Sequence, residues 1–461
     1  MSFGSEITRR GVRGILVVPA VGLSLLLGSS IALGGSGLTE AYIHVPMPPG
    51  FRVVLTDLDG PVFADSSGKT LYDWPRRSLR NGPTGDNKDE SECSSTKATV
   101  DSGLMSPYPA GLLAPDLDQR PSCTQAWPPA RAAANAKPVD NWTIITRKDG
   151  IRQWAYAGYA LYTSALDRQG GEVLGGSSRR SGGDGPVVRK PVGPPPDVPP
   201  GFGVVSTALG RLLVANNGFS VYVSDHDDPG HSNCDALCAE TWTPILAPDL
   251  SRPRGQWSII QRVGGVRQWA FMRKPLYLYV EDHSEVHSLK GSDVPGWHNV
   301  YTQLTPSPPK GFTAQDTTSG QTLADSHGMT IYVYSCGDDT TDQLGCDYPS
   351  ETQAYRLAMC GGGDPVRCRW TFPYVLAPKN VRGGSRAAWS AIDIDPMTGR
   401  FAQPNQPAAL HVWAYRGRPV YTFAGDKRPG DINADGHGEF GGRREGYRAF
   451  WLRDDYYAGN D

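Results

Sequence analysis

A threefold internal repetition constrains this chain more than any other feature of its sequence. Three segments open with similar turns, which are Pro48-Pro-Gly-Phe51, Pro199-Pro-Gly-Phe202 and Pro308-Pro-Lys-Gly-Phe312. Each continues into two short apolar stretches joined by a polar turn, and the turn glycines are Gly68, Gly218 and Gly328. Glycine there permits a positive φ, which tight turns between strands often require. The pattern predicts three β units, near residues 48–170, 199–305 and 308–461, called here the first, second and third units.

A second pattern predicts a further hairpin in each unit. Residues 142–155 match residues 257–270, and in both a pair of turn residues (Asp149-Gly150 or Gly264-Gly265) separates two runs rich in β-branched and aromatic side chains. Such pairs are typical of two-residue hairpin turns. The 55 glycines and 39 prolines among 461 residues also disfavour long helices. We therefore expect an all-β protein, with three tandem antiparallel β domains after one N-terminal apolar helix.

The N-terminal region predicts export. Residues 1–13 contain three arginines and form a basic region predicted to be cytoplasmic, whereas residues 14–36 carry no charged side chain. Positive charge before an apolar run directs the following chain across the membrane. Residues 14–36 are long enough for an uncleaved anchor, but a signal peptide cleaved near Ala32 or Gly34 would give the same orientation. We expect the bulk of the chain to be periplasmic or extracytoplasmic, and either anchored or, after cleavage, secreted.

The eight cysteines predict disulfides and thus an oxidising compartment. The three units contain two, two and four of them, and an even number in each predicts bridges closed within units. In each unit one pair is soon followed by a tryptophan (Trp127, Trp242 or Trp370), which gives these pairs equivalent positions. The predicted pairs are Cys93–Cys123, Cys234–Cys238, Cys360–Cys368 and, in a loop particular to the third unit, Cys336–Cys346.

Two segments outside the repeated patterns predict irregular structure. Residues 76–122 form a polar insertion in the first unit, and such insertions often carry contacts to partners. Residues 171–198 are rich in glycine, proline, serine and arginine, a composition that predicts a linker without a core of its own.

A motif that follows the second hairpin carries a resemblance to a known family. It has the form Tyr-x-aromatic-x-x-Asp in the second and third units, and the first unit departs from it because Ser164 replaces the aromatic residue. The motif residues are Tyr277, Tyr279 and Asp282, then Tyr421, Phe423 and Asp426, and Tyr162 with Asp167. Together with a cysteine pair before tryptophan, the motif resembles the bacterial secreted-repeat lipoproteins, although the chain lacks a lipid-attachment cysteine. The resemblance implies an exported, non-catalytic β-rich module of no settled function.

One cluster of potential metal ligands lies in the second unit. His226 and His231 are close in sequence to Cys234 and Cys238, and imidazole with thiolate is a ligand set for zinc or copper. Thiolate ligands require reduced cysteines, however, and these two cysteines occupy the predicted disulfide position. An exposed acidic turn beside a disulfide is therefore the alternative interpretation.

A second cluster resembles the start of a calcium loop. Asp431, Asn433 and Asp435 place oxygen ligands at alternate positions, but Gly442 stands where such a loop needs a bidentate glutamate. A polar β-loop is the alternative, and no other cofactor is expected.

The sequence does not predict catalysis. The recurring Asp167, Asp282 and Asp426 lie in the same turn of different units, which fits a structural role better than one shared active site. The 45 basic and 47 acidic residues nearly cancel, so there is no basic field for nucleic acid. We expect a non-enzymatic, membrane-anchored scaffold that contacts the lipid bilayer through residues 14–36. Its expected protein partners are envelope or integral membrane proteins, and respiratory and photosynthetic complexes are candidates for the complex that it joins. A secreted module that binds metal or carbohydrate is the alternative.

Overall fold

The computed structural model describes residues 41–79, 82–96, 121–175, 189–215, 218–282, 285–335, 348–351, 353–381, 388–437 and 446–454. The predicted basic region, the apolar segment 14–36 and the predicted Cys336–Cys346 pair lie outside these residues. Among the residues described, no helix combines the length and apolar character needed to cross a membrane.

Short antiparallel strands dominate the chain, which confirms the predicted all-β class. The first unit contains β1 (Arg52–Thr56), β2 (Gly60–Ala64), β3 (Tyr72–Asp73), β4 (Arg77–Leu79), β5 (Gly82–Thr84), α1 (Cys123–Ala126), β6 (Trp142–Thr146), β7 (Arg152–Tyr156), β8 (Tyr159–Ala160) and β9 (Lys190–Pro191). The second contains β10 (Phe202–Ser206), β11 (Gly210–Ala215), β12 (Phe219–Ser220), β13 (Tyr222–Ser224), α2 (Ala236–Thr241), β14 (Trp242–Pro244), β15 (Trp257–Gln261), β16 (Arg267–Phe271), β17 (Lys274–Pro275), β18 (Tyr277–Tyr279), two short 3₁₀ helices (Val280–Asp282 and Lys290–Asp293), β19 (Trp297–Asn299) and β20 (Tyr301–Leu304). The third contains β21 (Thr313–Thr317), β22 (Gly320–Ala324), β23 (Tyr332–Ser335), α3 (Ala354–Gly361), α4 (Pro365–Thr371), β24 (Trp389–Ile394), β25 (Leu410–Tyr415), β26 (Arg418–Tyr421), β27 (Gly446–Ala449) and β28 (Trp451–Asp454).

Equivalent backbone hydrogen bonds close the three units. In each unit a carbonyl oxygen near the C-terminal end accepts a hydrogen bond from a backbone amide in the second strand of the opening hairpin. These bonds run from Phe63 N to Val192 O (2.7 Å), from Leu213 N to Val300 O (2.8 Å) and from Leu323 N to Phe450 O (2.8 Å). The first and last segments of each unit are therefore joined directly.

Part of the predicted linker belongs to the first unit. Lys190–Pro191 pairs with Tyr72–Asp73, and the Asp197 amide donates to the Ala41 carbonyl at 2.8 Å. The closing strands of the other units continue as β20 and β28, whereas here prolines occupy residues 194–196 and offer no N–H to a ladder. The first unit thus extends over residues 41–197, of which 176–188 lie outside the described residues.

The second hairpins turn through three residues, not the predicted two. The Arg147 amide bonds to the Ile151 carbonyl at 3.0 Å and the Gly150 amide bonds to the Arg147 carbonyl at 2.9 Å. Gly150 has φ +80°, so the turn ends in a left-handed residue that glycine accommodates without strain. The hairpin of the second unit closes in the same way between Arg262 and Val266.

Two aromatic-rich clusters form the core of each unit. One cluster packs the opening hairpin on the second hairpin, and there the phenylalanine of the opening turn contacts a tryptophan: Phe51–Trp142, Phe202–Trp257 and Phe312–Trp389, with ring centroids 5.2, 4.6 and 5.5 Å apart. The other cluster surrounds the cysteine pair. The repeated Pro-Pro-Gly-Phe type of opening is thus explained by core packing.

The first and third units exchange core residues. Leu58, in the turn between β1 and β2, is buried in a cluster of the third unit, and Tyr348 of the third unit is buried in the disulfide cluster of the first. Arg416 donates to the carboxylate of Asp59 at 3.2 Å, and Arg211 of the second unit donates to the Asp59 carbonyl at 3.0 Å. The turn that ends in Asp59 therefore contacts both other units.

Candidate functional site: three tyrosine–aspartate clusters

The motif aspartates bind tyrosines from distant strands. Tyr72 Oη donates to Asp167 Oδ2, and Tyr222 and Tyr332 donate in the same way to Asp282 and Asp426, each at 2.8 Å. All these tyrosines and aspartates are buried. The final residue of the motif therefore ties its own loop to the strand that follows the opening hairpin.

Burial governs the ionisation of these pairs. It raises the pKa of Asp167 to about 7, although the hydrogen bonds from Leu174 N and Tyr72 Oη oppose that change. Burial also raises the pKa values of Asp282 and Asp426, and those of the tyrosines that face them. Because the carboxyl groups are shielded from solvent, their chemistry here is to join segments of the chain and to organise their own loops.

A second polar cluster lies beside the cysteine pair and recurs in two units. In the first unit Tyr162 donates to Asp86 at 2.7 Å, Ser91 lies 2.8 Å from the Tyr162 hydroxyl, and Arg147 donates to both Ser91 and Gln153. The second unit repeats these contacts with Tyr277, Asp227, Ser232, Arg262 and Gln268. Burial raises the pKa of Asp86 to about 6.

The sequence analysis missed most of this second cluster. Asp86 and Ser91 lie in the insertion predicted to be a polar loop, yet their side chains reach into the first unit. The sequence does carry a signal for this cluster, because the same long polar residues recur at matched positions in two copies of the hairpin. These residues are Arg147 and Gln153 in the first unit and Arg262 and Gln268 in the second.

The third unit replaces this cluster with a different buried arginine. The Arg356 guanidinium donates to Gln353, to the Tyr374 hydroxyl and to Cys368 Sγ, at 3.0, 3.1 and 3.3 Å. It also lies 5.5 Å from the ring centre of the motif residue Tyr421. The first motif position therefore faces a buried polar group in every unit.

The predicted disulfides of the described residues are present. Cys93 is joined to Cys123, Cys234 to Cys238 and Cys360 to Cys368. Four residues after the second cysteine of each pair an aromatic residue ends a short helix, namely Trp127, Trp242 and Phe372. The predicted equivalence of Trp370 is wrong, because Trp370 is 73% exposed and Phe372 occupies the buried C-cap position.

The central aromatic residue of the motif packs on this capping ring. Tyr279 stacks on Trp242 with centroids 4.4 Å apart, and Phe423 lies 5.0 Å from Phe372. In the first unit the serine at this position is buried close to Trp127, where Gly175 fills the remaining space. The departure of the first unit from the motif is thus accommodated locally.

The opposite side of each capping ring carries a residue from the closing segment. Trp297 stacks on Trp242 at 3.7 Å and Tyr447 stacks on Phe372 at 3.6 Å. In the first unit the equivalent residue is Arg189, whose guanidinium lies 4.6 Å from the centre of Trp127 and 4.0 Å from that of Trp74. A cation–π contact therefore replaces ring stacking within the segment predicted as a linker.

The candidate zinc or copper ligands do not converge in the structure. His226 and His231 are exposed, and their neighbours Cys234 and Cys238 are bonded to each other. The nearby Asp227 carboxylate accepts from Tyr277 and from the Asn233 amide. Within the described residues, no group of three or more histidine, cysteine, aspartate or glutamate side chains is arranged to hold a metal ion.

The candidate calcium ligands have other partners. Asp431 accepts backbone hydrogen bonds from Lys427 and Arg428, and Asp435 accepts one from Ala449 at 2.9 Å. Asn433 is exposed, and its amide N–H donates to the motif carboxylate of Asp426. These residues organise the loop after the motif, and metal binding remains a prediction for titration to test.

Residues 410–444 match the model of one protein family, Lipoprotein_15, described as a secreted repeat of unknown function. The match comprises β25, β26 and the loop with Tyr421, Phe423 and Asp426. No curated protein and no solved structure matches the chain. The description of the family as secreted supports an extracytoplasmic location.

Proposed function

We propose that this protein is a non-enzymatic accessory protein, exported and anchored in the membrane, that binds and stabilises a larger membrane protein complex of the cell envelope, such as a respiratory or photosynthetic one. The observation that carries the proposal is the combination of a rigidly fastened body with large apolar side chains on its surface. Buried tyrosine–aspartate pairs, disulfides and the exchange of Leu58 and Tyr348 between units provide the fastening.

The helix α4 offers the best surface for a partner protein. Trp370 is 73% exposed and Val366, one helical turn earlier, is 45% exposed. The disulfide between Cys360 and Cys368 fixes this helix, so little conformational entropy is lost when its side chains are covered. Tryptophan is enriched among the hot-spot residues that contribute most of the binding energy at protein interfaces.

A purification from membranes tests this proposal. The tagged full chain is isolated in mild detergent, and mass spectrometry identifies its N-terminal peptide and the proteins that accompany it. The expected result is an intact N-terminal segment and a stoichiometric membrane protein partner. A chain cleaved near Ala32 or Gly34 and found alone in the soluble fraction would contradict the proposal.

The second unit supplies a matched substitution. Relative to the second cysteine, Ala236 and Glu240 of α2 occupy the positions of Val366 and Trp370. The double variant Val366→Ala, Trp370→Glu therefore gives α4 the residues that α2 has at these two positions. We expect the partner to be lost while the unfolding midpoint is unchanged, and the control Glu240→Gln to retain the partner. Retention by the double variant would exclude α4 as the binding surface.

A further inference from the structure

The disulfide of the second unit is more accessible than its equivalents in the other two units. In the first and third units all four bonded cysteines are buried, with exposed fractions of 1 to 5%. In the second unit Cys234 is 7% exposed, but Cys238 is partly exposed and α2, the helix that carries it, contains no buried residue. Access for an attacking thiolate is one of the factors that set the rate of thiol–disulfide exchange. We call the bond between Cys234 and Cys238 the accessible disulfide.

Buried guanidinium groups cover the sulfur atoms of the other two disulfides. Arg189 donates to Cys123 Sγ at 3.0 Å in the first unit, and Arg356 donates to Cys368 Sγ at 3.3 Å in the third. These arginines are 1 and 2% exposed, so they shield the sulfur atoms from solvent. In the second unit Trp297 takes the position of Arg189 and stacks on the capping ring. The accessible disulfide therefore lacks the cover that its equivalents have among the described residues.

Hydrogen bonds that do not involve sulfur hold the two cysteines of the accessible disulfide in place. The Arg262 guanidinium donates to the Cys234 carbonyl, and the Asp235 carboxylate caps α2 by accepting from the Cys238 amide at 2.9 Å. These bonds remain when the S–S bond is broken. The two Cα atoms are 5.2 Å apart, which is within the range that a disulfide requires, so the reduced pair can close again.

The short loop of the accessible disulfide limits what its opening costs the fold. The bonded cysteines are 4 positions apart in the second unit, 8 in the third and 30 in the first. A disulfide restricts the unfolded chain, and its effect on the folding equilibrium constant grows with about the 1.5 power of the loop length. Opening the bond of the first unit should therefore lower this constant about twenty times more than opening the accessible disulfide. We expect the second unit to stay folded when it is reduced.

An exposed apolar side chain lies between the two cysteines. Leu237 is 74% exposed, and its neighbours Ala236 and Ala239 are not buried. A small uncharged surface beside a reachable sulfur atom suits contact with another protein better than contact with a charged thiol of low molecular weight.

We propose that the accessible disulfide is a thiol–disulfide exchange site whose substrate is a protein dithiol, such as the paired cysteines of an exported oxidoreductase. A thiolate of the dithiol attacks Cys238 Sγ and forms a mixed disulfide, while Cys234 leaves as a thiolate with the electron pair of the broken bond. The second thiolate then attacks the mixed disulfide and releases Cys238. The substrate becomes a disulfide, and its two electrons and two protons pass to Cys234 and Cys238.

Graded reduction of the full chain tests the site. The folded protein is equilibrated with increasing concentrations of dithiothreitol, free thiols are alkylated, and mass spectrometry scores each cysteine separately. The disulfides of the first and third units are controls within the same molecule. We expect Cys234 and Cys238 to be alkylated at concentrations that leave these controls unlabelled, with no loss of near-ultraviolet circular dichroism. Removal of the reductant before alkylation should restore the bond.

Two single variants identify the sulfur atom that is attacked. Each is incubated with oxidised glutathione, and the mixed disulfide is measured by mass spectrometry. We expect the adduct to form on Cys238 in Cys234→Ser, and Cys234 to remain unmodified over the same time in Cys238→Ser, because Cys234 is buried. Equal modification of the two cysteines would refute attack at Cys238.

The outcomes separate this inference from the proposed function. Opening of the three disulfides at one concentration, or opening of the accessible disulfide only after near-ultraviolet circular dichroism is lost, would overturn the exchange site. Reduction by dithiothreitol but not by reduced thioredoxin would refute a protein dithiol as the substrate. None of these measurements needs a membrane partner, so the accessory function stands or fails by the purification alone.

Discussion

Removal of one hydroxyl group tests whether the tyrosine–aspartate clusters stabilise the fold. In Tyr222→Phe the ring remains, but Asp282 loses a hydrogen bond of 2.8 Å and the Gly291 amide loses its acceptor at 3.3 Å. A hydrogen bond to a charged group contributes about 1.5–3 kcal/mol, and a buried donor left without a partner costs about 1 kcal/mol or more. We expect the free energy of unfolding of the second unit to fall by about 3 kcal/mol.

Two measurements report this loss. Urea denaturation of the full chain gives the change in midpoint. Hydrogen exchange at the Leu213 amide, whose bond to the Val300 carbonyl does not involve the deleted hydroxyl group, reports the second unit alone. A loss of about 3 kcal/mol corresponds to exchange about a hundredfold faster. The control is Tyr279→Phe, because the Tyr279 ring stacks on Trp242 and its hydroxyl group has no hydrogen bond to a described residue. If both variants change stability equally, the reasoning about the cluster is refuted.

Four further substitutions probe other parts of the molecule. Because the pKa of Asp167 is raised from 3.8 to about 7, the protonated side chain contributes stability that is present below pH 4 and is lost as the pH rises through 7, by about 4 kcal/mol. In Asp167→Asn the urea midpoint should therefore depend less on pH between 4 and 7, and an unchanged pH dependence would contradict this. Trp242→Ala should cost about 3–5 kcal/mol in chemical unfolding, whereas Trp370→Ala should change stability by less than about 0.5 kcal/mol, and similar costs would show that the two environments were misassigned. Arg416→Gln leaves the carboxylate of Asp59 without its guanidinium partner and should lower the free energy of unfolding by about 2–3 kcal/mol; no change would indicate that the contact between the first and third units does not depend on this pair.

Local patterns predicted the strands and the candidate disulfides because both depend on short-range signals. The hairpin patterns at residues 142–155 and 257–270 became β6–β7 and β15–β16, and the described cysteine pairs are bonded. The alternation of apolar residues and the turn glycines carry that information within a few positions.

The partners of the motif aspartates could not be predicted in the same way. Tyr72 and Asp167 are 95 residues apart, and Tyr332 and Asp426 are 94 apart, so no local spacing indicates the pairing. The predicted structural role of these aspartates agrees with their contacts, but the tyrosine partner is visible only in three dimensions.

Composition misled the interpretation of residues 189–198. An arginine in a stretch rich in glycine and proline usually indicates a solvated chain. Arg189 is nevertheless buried, because Trp74, Trp127 and Tyr162 surround its guanidinium group. Such a site depends on the arrangement of three rings that are distant in sequence.

The exchange of Leu58 and Tyr348 has a consequence for how the protein is made. The disulfide cluster of the first unit is completed by Tyr348, which is synthesised 181 residues after the motif residue Asp167. The first unit therefore cannot be completed before Tyr348 has been synthesised, at about three quarters of the length of the chain. During this delay the strands of the first unit need protection from aggregation and proteolysis.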